Sequence, residues 1–127
     1  MSFKLVYRQE QNYLFIEVRG QWTIDSAEEA IEEIHNEATK RNLTLLLLDT
    51  REVSQPDSEW TRFRAGEHWA KFFGHPFKGA FLTRPDLFNG FAETVARNRF
   101  ANVEAFFEEE QAVEWLLRGE KADVGNL

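Results

Sequence analysis

A run of aliphatic residues at positions 43–48, LTLLLL, constrains the fold more than any other stretch of the sequence. A strand with one face in water alternates apolar and polar residues, because successive side chains point to opposite faces of the sheet. This run shows no such alternation, which is typical of a central strand in a parallel sheet that is covered on both faces. We therefore predict that residues 43–48 form a buried central strand.

Apolar periodicity predicts further strands and helices on both sides of this run. Strands are predicted at residues 3–7, 13–19, 43–48, 80–83 and 103–107, and helices begin at residues 25–26, 57–58, 85–86 and 108. The order ββαβαβαβα favours parallel pairing with the crossover helices on one face. We expect a two-layer α/β domain with a five-stranded mixed sheet and helices mainly on one face. The apolar residues on the other face would then need to be covered by something else, for example by a partner protein.

Length and composition fit a single domain. The chain has 127 residues, of which 43% are hydrophobic and 29% are charged. We place the domain at residues 1–118 and interpret residues 119–127 as a polar carboxyl-terminal tail. The chain has no cysteine, which excludes disulfides, thiolate metal sites and a cysteine nucleophile.

Charge and hydropathy bear on the partners. Fifteen basic and 22 acidic residues give a net charge of −7, which repels phosphate backbones and anionic lipid surfaces. No signal peptide pattern is present, and the longest aliphatic run is too short to span a bilayer. We expect a cytoplasmic protein with no nucleic-acid partner and no membrane insertion.

Polar residues follow the predicted central strand and the strand after it. Ligands of open α/β sheets tend to bind beyond the carboxyl ends of the parallel strands. We predict a ligand rim at this edge, formed by Asp49, Arg51, Ser58, Thr83 and Arg84. The alternative is that Asp49 ends its strand and accepts local backbone hydrogen bonds, as aspartate often does.

The second predicted helix is unusually rich in aromatic residues. Its apolar residues cover about half of the circumference, and only Arg62 interrupts them. The large aromatic side chains of this helix and the turn after it are Trp60, Phe63, Trp69, Phe72, Phe73 and Phe77. Three interpretations stay open: neighbouring helices cover them, they form a dimer or partner interface, or they line a pocket for an apolar ligand.

No catalytic or cofactor-binding motif is present. His68 and His75 are seven residues apart, but the helix ends between them and the HExxH spacing is absent. The run Glu108 to Glu110 suits the positive end of a helix dipole without any catalytic role. We expect no metal, no cofactor and no enzyme activity.

Several segments together resemble the STAS/SpoIIAA-like superfamily, which includes STAS/SEC14-type small bacterial proteins. The resemblance spans roughly residues 12 to 118. It is carried by the element order and by residues 18–20 before a helix, 47–49 at a strand end, 81–83 in a short strand, and the strand–helix segment 106–116. It implies a SpoIIAA-like fold in a bacterial protein.

In the anti-sigma-factor antagonists of this superfamily, a serine in a DSSG turn at a helix start is phosphorylated by a partner kinase. The matching positions here are Asp57, Ser58, Glu59 and Trp60. Ser58 matches the first serine, whereas Glu59 replaces the second serine and Trp60 replaces the glycine. These departures predict that the phosphorylation switch is absent and that Ser58 acts as a helix cap.

The resemblance implies a non-enzymatic regulatory or protein-interaction module with a protein partner, which we expect to self-associate as a dimer. The alternative is a carrier or sensor of a small apolar ligand, because SEC14-like relatives bind lipids with a similar layout.

Overall fold

The computed structural model describes residues 3–125, with the side chains of residues 3–118. The strands are β1 (Lys4–Gln9), β2 (Leu14–Gln21), β3 (Leu45–Ser54), β4 (Lys78–Leu82) and β5 (Asn102–Phe106). The helices are α1 (Ile24–Arg41), α2 (Glu59–Phe72), α3 (Phe91–Asn98) and α4 (Glu109–Gly125). This is the predicted element order.

The five strands form one mixed sheet in the order β1-β2-β3-β4-β5. The β1 strand pairs antiparallel with β2, and the other three neighbouring pairs are parallel. Three helices, α1, α2 and α3, connect successive parallel neighbours and pack on one face of the sheet, which we call the three-helix face. The predicted fold class, a five-stranded mixed sheet with helices mainly on one face, is confirmed.

The LTLLLL run contributes to two hydrophobic clusters, one on each face of the sheet. Leu46 and Leu48 belong to the core of the three-helix face. Leu45 and Leu47 belong to a second cluster that Ala112 and Leu116 of α4 complete on the opposite face, which we call the α4 face. The last helix therefore supplies cover for the second face from within the chain.

The β3 strand is longer than its sequence predicts. It continues past the aliphatic run to Ser54, because β2 pairs with it as far as Gln21 opposite Ser54. Asp49 therefore lies inside β3, opposite Leu82 of β4, and the prediction that Asp49 ends its strand was wrong. Pairing with β2 therefore extends β3 beyond the aliphatic run, into residues that are not hydrophobic enough to predict a strand.

Two predicted helix starts also need correction. The cap of α1 is Thr23, whose side chain accepts a hydrogen bond from Ser26 N (3.0 Å), rather than Asp25 or Ser26. Residues 84–88 form a turn, in which the amides of Leu87 and Phe88 donate to the Arg84 carbonyl, and α3 begins only at Phe91. Phe91, the first residue of α3, is 37% exposed.

The backbone of α4 continues to Gly125 and therefore extends into the segment that the sequence predicts as a tail. Residues 126 and 127 of the predicted tail lie outside the described residues. The division into a domain at 1–118 and a tail at 119–127 stays a prediction.

Candidate functional site

Asp49, the centre of the predicted ligand rim, is held by a neighbour on its own strand. Arg51 Nε and Nη2 each donate to one carboxylate oxygen of Asp49 at 2.9 Å, and the Arg51 amide donates to Oδ1 at 3.1 Å. Burial alone would raise the pKa of Asp49, but these hydrogen bonds outweigh it and hold the pKa below its ordinary value. The hydrogen bond from the Arg51 amide agrees with one part of the alternative interpretation, local backbone hydrogen bonding, although Asp49 does not end its strand.

The other rim residues do not face one common space. Asp49 and Arg51 alternate with Leu48 and therefore point to the α4 face, whereas Thr83 borders the opposite side of the sheet. Arg84 donates to the carbonyls of Val53 (3.3 Å) and Arg51 and pairs with Asp86. The structure separates the five residues, and their role in ligand binding stays a prediction.

Ser58 caps α2, as the sequence predicts. Its Oγ accepts a hydrogen bond from the Thr61 amide at 3.3 Å, and its backbone is extended. Thr61 Oγ1 in turn donates to Asp57 Oδ1 at 2.6 Å. Asp57 and Ser58 thus form the local network that begins α2.

The aromatic residues of α2 and the turn after it divide into one group around the core and one group at the start of the helix. Trp69 and Phe73 are buried and stack with centroids 4.1 Å apart. Trp69 lies over Gly79 of β4, where an added Cβ would come within 2.8 Å of the indole. Phe72 and Phe77 are half-buried and contact His35 of α1 together with Phe73.

Trp60 and Phe63 form the other group, at the start of α2. Their rings stack with centroids 5.3 Å apart, and Trp60 is 57% exposed. The wide apolar arc of α2 is explained in part by its central position, because α1 and α3 flank it on the three-helix face.

A cavity of about 120 Å³ lies between the sheet and the helices of the three-helix face, and we call it the three-helix cavity. Its wall is mainly apolar and includes Ile31, Leu48, Trp69, Phe81, Leu87 and Val103. Thr83 is the only residue of the predicted rim that lines it, and Trp69 is the only residue of the predicted aromatic set.

The wall of the cavity also includes a buried arginine. Arg62 is 6% exposed, and its Nη2 donates to Gln55 Oε1 (2.9 Å) and to the Leu87 carbonyl (3.0 Å). Its Nε lies 3.3 Å from Glu59 Oε2 but has no hydrogen-bond partner among the described residues. One feature of the sequence points to this residue, because Arg62 is the single charge that interrupts the apolar arc of α2.

Two further polar residues of the wall were missed by sequence reasoning. Trp22 lies against Arg62, with the guanidinium carbon 5.1 Å from the ring centroid, and its Nε1 has no hydrogen-bond partner among the described residues. Glu93 of α3 also lines the cavity, and burial raises the pKa of its carboxyl group. Neither residue stands out in the sequence. Trp22 lies in the short connection between β2 and α1, and Glu93 has the pattern of an ordinary exposed helix carboxylate.

Exposed aromatic side chains cluster at the carboxyl edge of the sheet, and we call this group the aromatic rim. Its members and their exposed fractions are Trp60 (57%), Phe107 (48%), Phe88 (38%) and Phe91 (37%). Phe88 and Phe107 meet edge to face at 5.8 Å. Asn89 connects this loop to α2 by donating to both carboxylate oxygens of Glu59 at 3.2 and 3.0 Å.

The described part of the chain has neither a cluster of metal-binding side chains nor a helix suited to a bilayer. No group of three or more histidine, aspartate or glutamate side chains there is placed to hold a metal ion. No helix among the described residues has both the length and the apolar character needed to cross a bilayer.

Solved structures show the same fold at low sequence identity. An anti-sigma factor antagonist from Mycobacterium paratuberculosis matches with a TM-score of 0.64 and 11% identity, over 91% of this chain and 94% of that chain. An uncharacterised protein from Shewanella loihica PV-4 with a SpoIIAA-like fold matches with a TM-score of 0.56 and 18% identity, over 91% and 94%.

A third match is the anti-sigma factor antagonist SpoIIAA in its unphosphorylated form. Its TM-score is 0.52 and its identity 14%, over 93% of this chain and 99% of that chain. No family model and no curated protein matches the sequence. The chain therefore has the SpoIIAA-like α/β fold that its sequence resembles.

Proposed function

We propose that this chain is a non-catalytic regulatory module that acts by binding a protein partner at the aromatic rim. The observation that carries the proposal is the exposure of four large aromatic side chains at one edge of the sheet. Exposed aromatic clusters of this kind mark interaction surfaces, because they bury a large area with few rotatable bonds. The structural likeness to anti-sigma factor antagonists supports a regulatory role.

The charge around the aromatic rim favours a basic partner. Exposed carboxylates adjoin the rim residues in sequence: Asp57 and Glu59 flank Ser58 before Trp60, Asp86 precedes Phe88, and Glu108 follows Phe107. In a symmetric dimer the same patch meets itself, so these carboxylates would face each other. We therefore propose a partner with an apolar centre and a basic periphery, and we treat self-association as the competing outcome.

Affinity capture with surface variants tests this proposal. Immobilised wild-type protein is compared with the double variant Trp60→Asn/Phe107→Asn and with Phe100→Asn as control. Phe100 is 91% exposed but precedes β5, at the opposite edge of the sheet. We expect a partner from an extract of the source cells that the control retains and the double variant loses.

Equal retention by wild type and the double variant would contradict the proposal. Native mass spectrometry of the same three proteins measures their oligomeric state and so tests self-association, the competing outcome. A dimer that only the double variant loses would assign the aromatic rim to self-association instead.

A second candidate function, a carrier or sensor of a small apolar ligand, is supported by the three-helix cavity. A cavity of about 120 Å³ is large enough for a small organic molecule, and most of its wall is apolar. Detection of a bound small molecule by native mass spectrometry of freshly purified protein tests this candidate directly.

A further inference from the structure

We propose that the three-helix cavity binds a small organic acid, with its carboxylate held by Arg62 and Trp22 and its apolar body enclosed by the surrounding wall. This inference rests on the second candidate function and adds the chemical class of the ligand. It concerns two residues that are far apart in the sequence, Trp22 before α1 and Arg62 in α2, which the fold brings together.

The two groups that would hold the carboxylate are unused donors. Arg62 Nε and Trp22 Nε1 are buried, and neither has a hydrogen-bond partner among the described residues. Buried donors are nearly always satisfied in folded proteins, so two such donors in contact with each other indicate a missing acceptor. Both residues also line the cavity, so we infer that the missing acceptor belongs to a molecule bound there.

The charge of Arg62 favours an anionic acceptor over a neutral one. Its nearest carboxylate is that of Glu59, whose side chain is 63% exposed and therefore partly screened by water. The other carboxyl group on the wall is that of Glu93, and burial disfavours its charged form. A guanidinium this deeply buried gains most from a charged partner within the same enclosed space.

The size of the cavity limits the ligand to a short molecule. A dry cavity of about 150 Å³ accepts benzene, which has six non-hydrogen atoms, so a volume of about 120 Å³ suits roughly five to six non-hydrogen atoms. Small side chains of α1, α2 and α3 create this space: Ala27 and Ala30, Ala65 and Gly66, and Ala92 and Ala96. A branched aliphatic acid of this size fits the apolar wall.

The cavity adjoins the aromatic rim. Phe88 is a wall residue and is also 38% exposed at the rim. Entry near Phe88 would take the ligand past the proposed protein-binding surface.

NMR titration of ¹⁵N-labelled wild-type protein tests the proposal with two matched probes. The probes are 2-methylpropanoate and the neutral, nearly isosteric 2-methylpropanamide, each with six non-hydrogen atoms. The chain has only four tryptophans, so the Trp22 indole signal is assigned by its loss in Trp22→Phe. We expect saturable shifts of the Trp22 Nε1–H and Arg62 Nε–H signals, with the carboxylate binding about tenfold more tightly than the amide.

Three variants locate the binding. Arg62→Met should remove the preference for the carboxylate, whereas Ala30→Leu should abolish binding of both probes by filling the cavity. Arg64→Met is the matched control, because Arg64 lies on the same helix but pairs with Glu28 (2.6 Å) outside the cavity. If Arg62→Met does not fold, the wild-type titration alone still shows whether the protein binds the acid more tightly than the amide.

The titration distinguishes failure of the proposed acid specificity from failure of the carrier function. Equal affinity for the acid and the amide, with both indole and guanidinium signals moving, would overturn the acid specificity and leave the carrier function standing. Absence of saturable shifts with either probe would overturn both.

Discussion

Among the described side chains, each face of the sheet buries one lysine or arginine, and the two cations have different contacts. On the α4 face, Lys78 Nζ donates to the carbonyls of Trp115 (2.6 Å) and Leu116 (3.1 Å) and lies 4.3 Å from the Trp115 ring centroid. On the three-helix face, Arg62 Nη2 is bonded, but its Nε has no hydrogen-bond partner among the described residues. One cation joins a helix to the sheet, and the other borders a cavity.

This difference indicates which buried charge is structural and which is available. A buried cation is stable when its donors are satisfied and its desolvation is offset by close contacts. Lys78 has such contacts with α4, so we interpret it as a residue that fixes the helix. The hydrogen-bond donors of Arg62 are only partly satisfied, which is typical of a residue that binds another molecule.

The largest expected effect contrasts two tryptophans of one helix. Trp69 is 4% exposed in the core of the three-helix face, whereas Trp60 belongs to the aromatic rim. Trp69→Glu removes a large core side chain and buries a charge, so we expect a loss of more than about 4 kcal/mol in the free energy of unfolding. Urea denaturation followed by circular dichroism measures it. Trp60→Glu is the control and should unfold like wild type; equal losses would place both tryptophans in the core.

The two cations give the next prediction. Lys78→Met loses two charge-assisted hydrogen bonds to α4, so we expect the free energy of unfolding to fall by roughly 2 to 3 kcal/mol. Arg62→Met should cost less, because it also removes a charge whose pairing is incomplete. Both are measured by urea denaturation. A greater loss for Arg62→Met would reverse our interpretation of the two residues.

Two alanines of α1 test whether the three-helix face holds usable space. Ala38 is fully buried and lies outside the cavity wall, so Ala38→Leu should overpack the core and cost about 2 kcal/mol. Ala30 lines the cavity, so Ala30→Leu should leave the free energy of unfolding unchanged or raise it. Thermal denaturation compares the two variants. Equal destabilisation would mean that the cavity does not accept added carbon atoms.

The smallest expected effect concerns Asp49 on the α4 side of β3. Its pKa in the folded protein lies below the ordinary value of 3.8, so its contribution to stability is present above that pH and is lost as the pH falls through the lower folded value. We expect Asp49→Asn to cost about 1 kcal/mol at pH 7 and almost nothing at the lowest pH at which the protein stays folded.

Urea denaturation at pH 7 and in a series of acid buffers measures this dependence. Glu52→Gln, a change to an exposed residue of the same strand, is the control. A cost for Asp49→Asn that does not change with pH would separate the effect from the ion pair with Arg51.

Element order and sheet topology could be predicted from the sequence because they depend on local patterns. The aliphatic run identified the central strand, and its lack of alternation correctly indicated cover on both faces. Ser58 as the cap of α2 was equally predictable, since a cap acts within one helical turn.

Features that depend on distant neighbours could not be predicted in the same way. The length of β3 was decided by pairing with β2, and the burial of Trp69 by its position over Gly79 of β4. The candidate site depends on such neighbours even more. Arg62 interrupts an apolar arc in the sequence, but only the packing of three helices on the sheet places it beside Trp22 and an unfilled space. Side-chain periodicity determines the faces of helices and strands, whereas the fit between those faces determines which polar groups are left without partners.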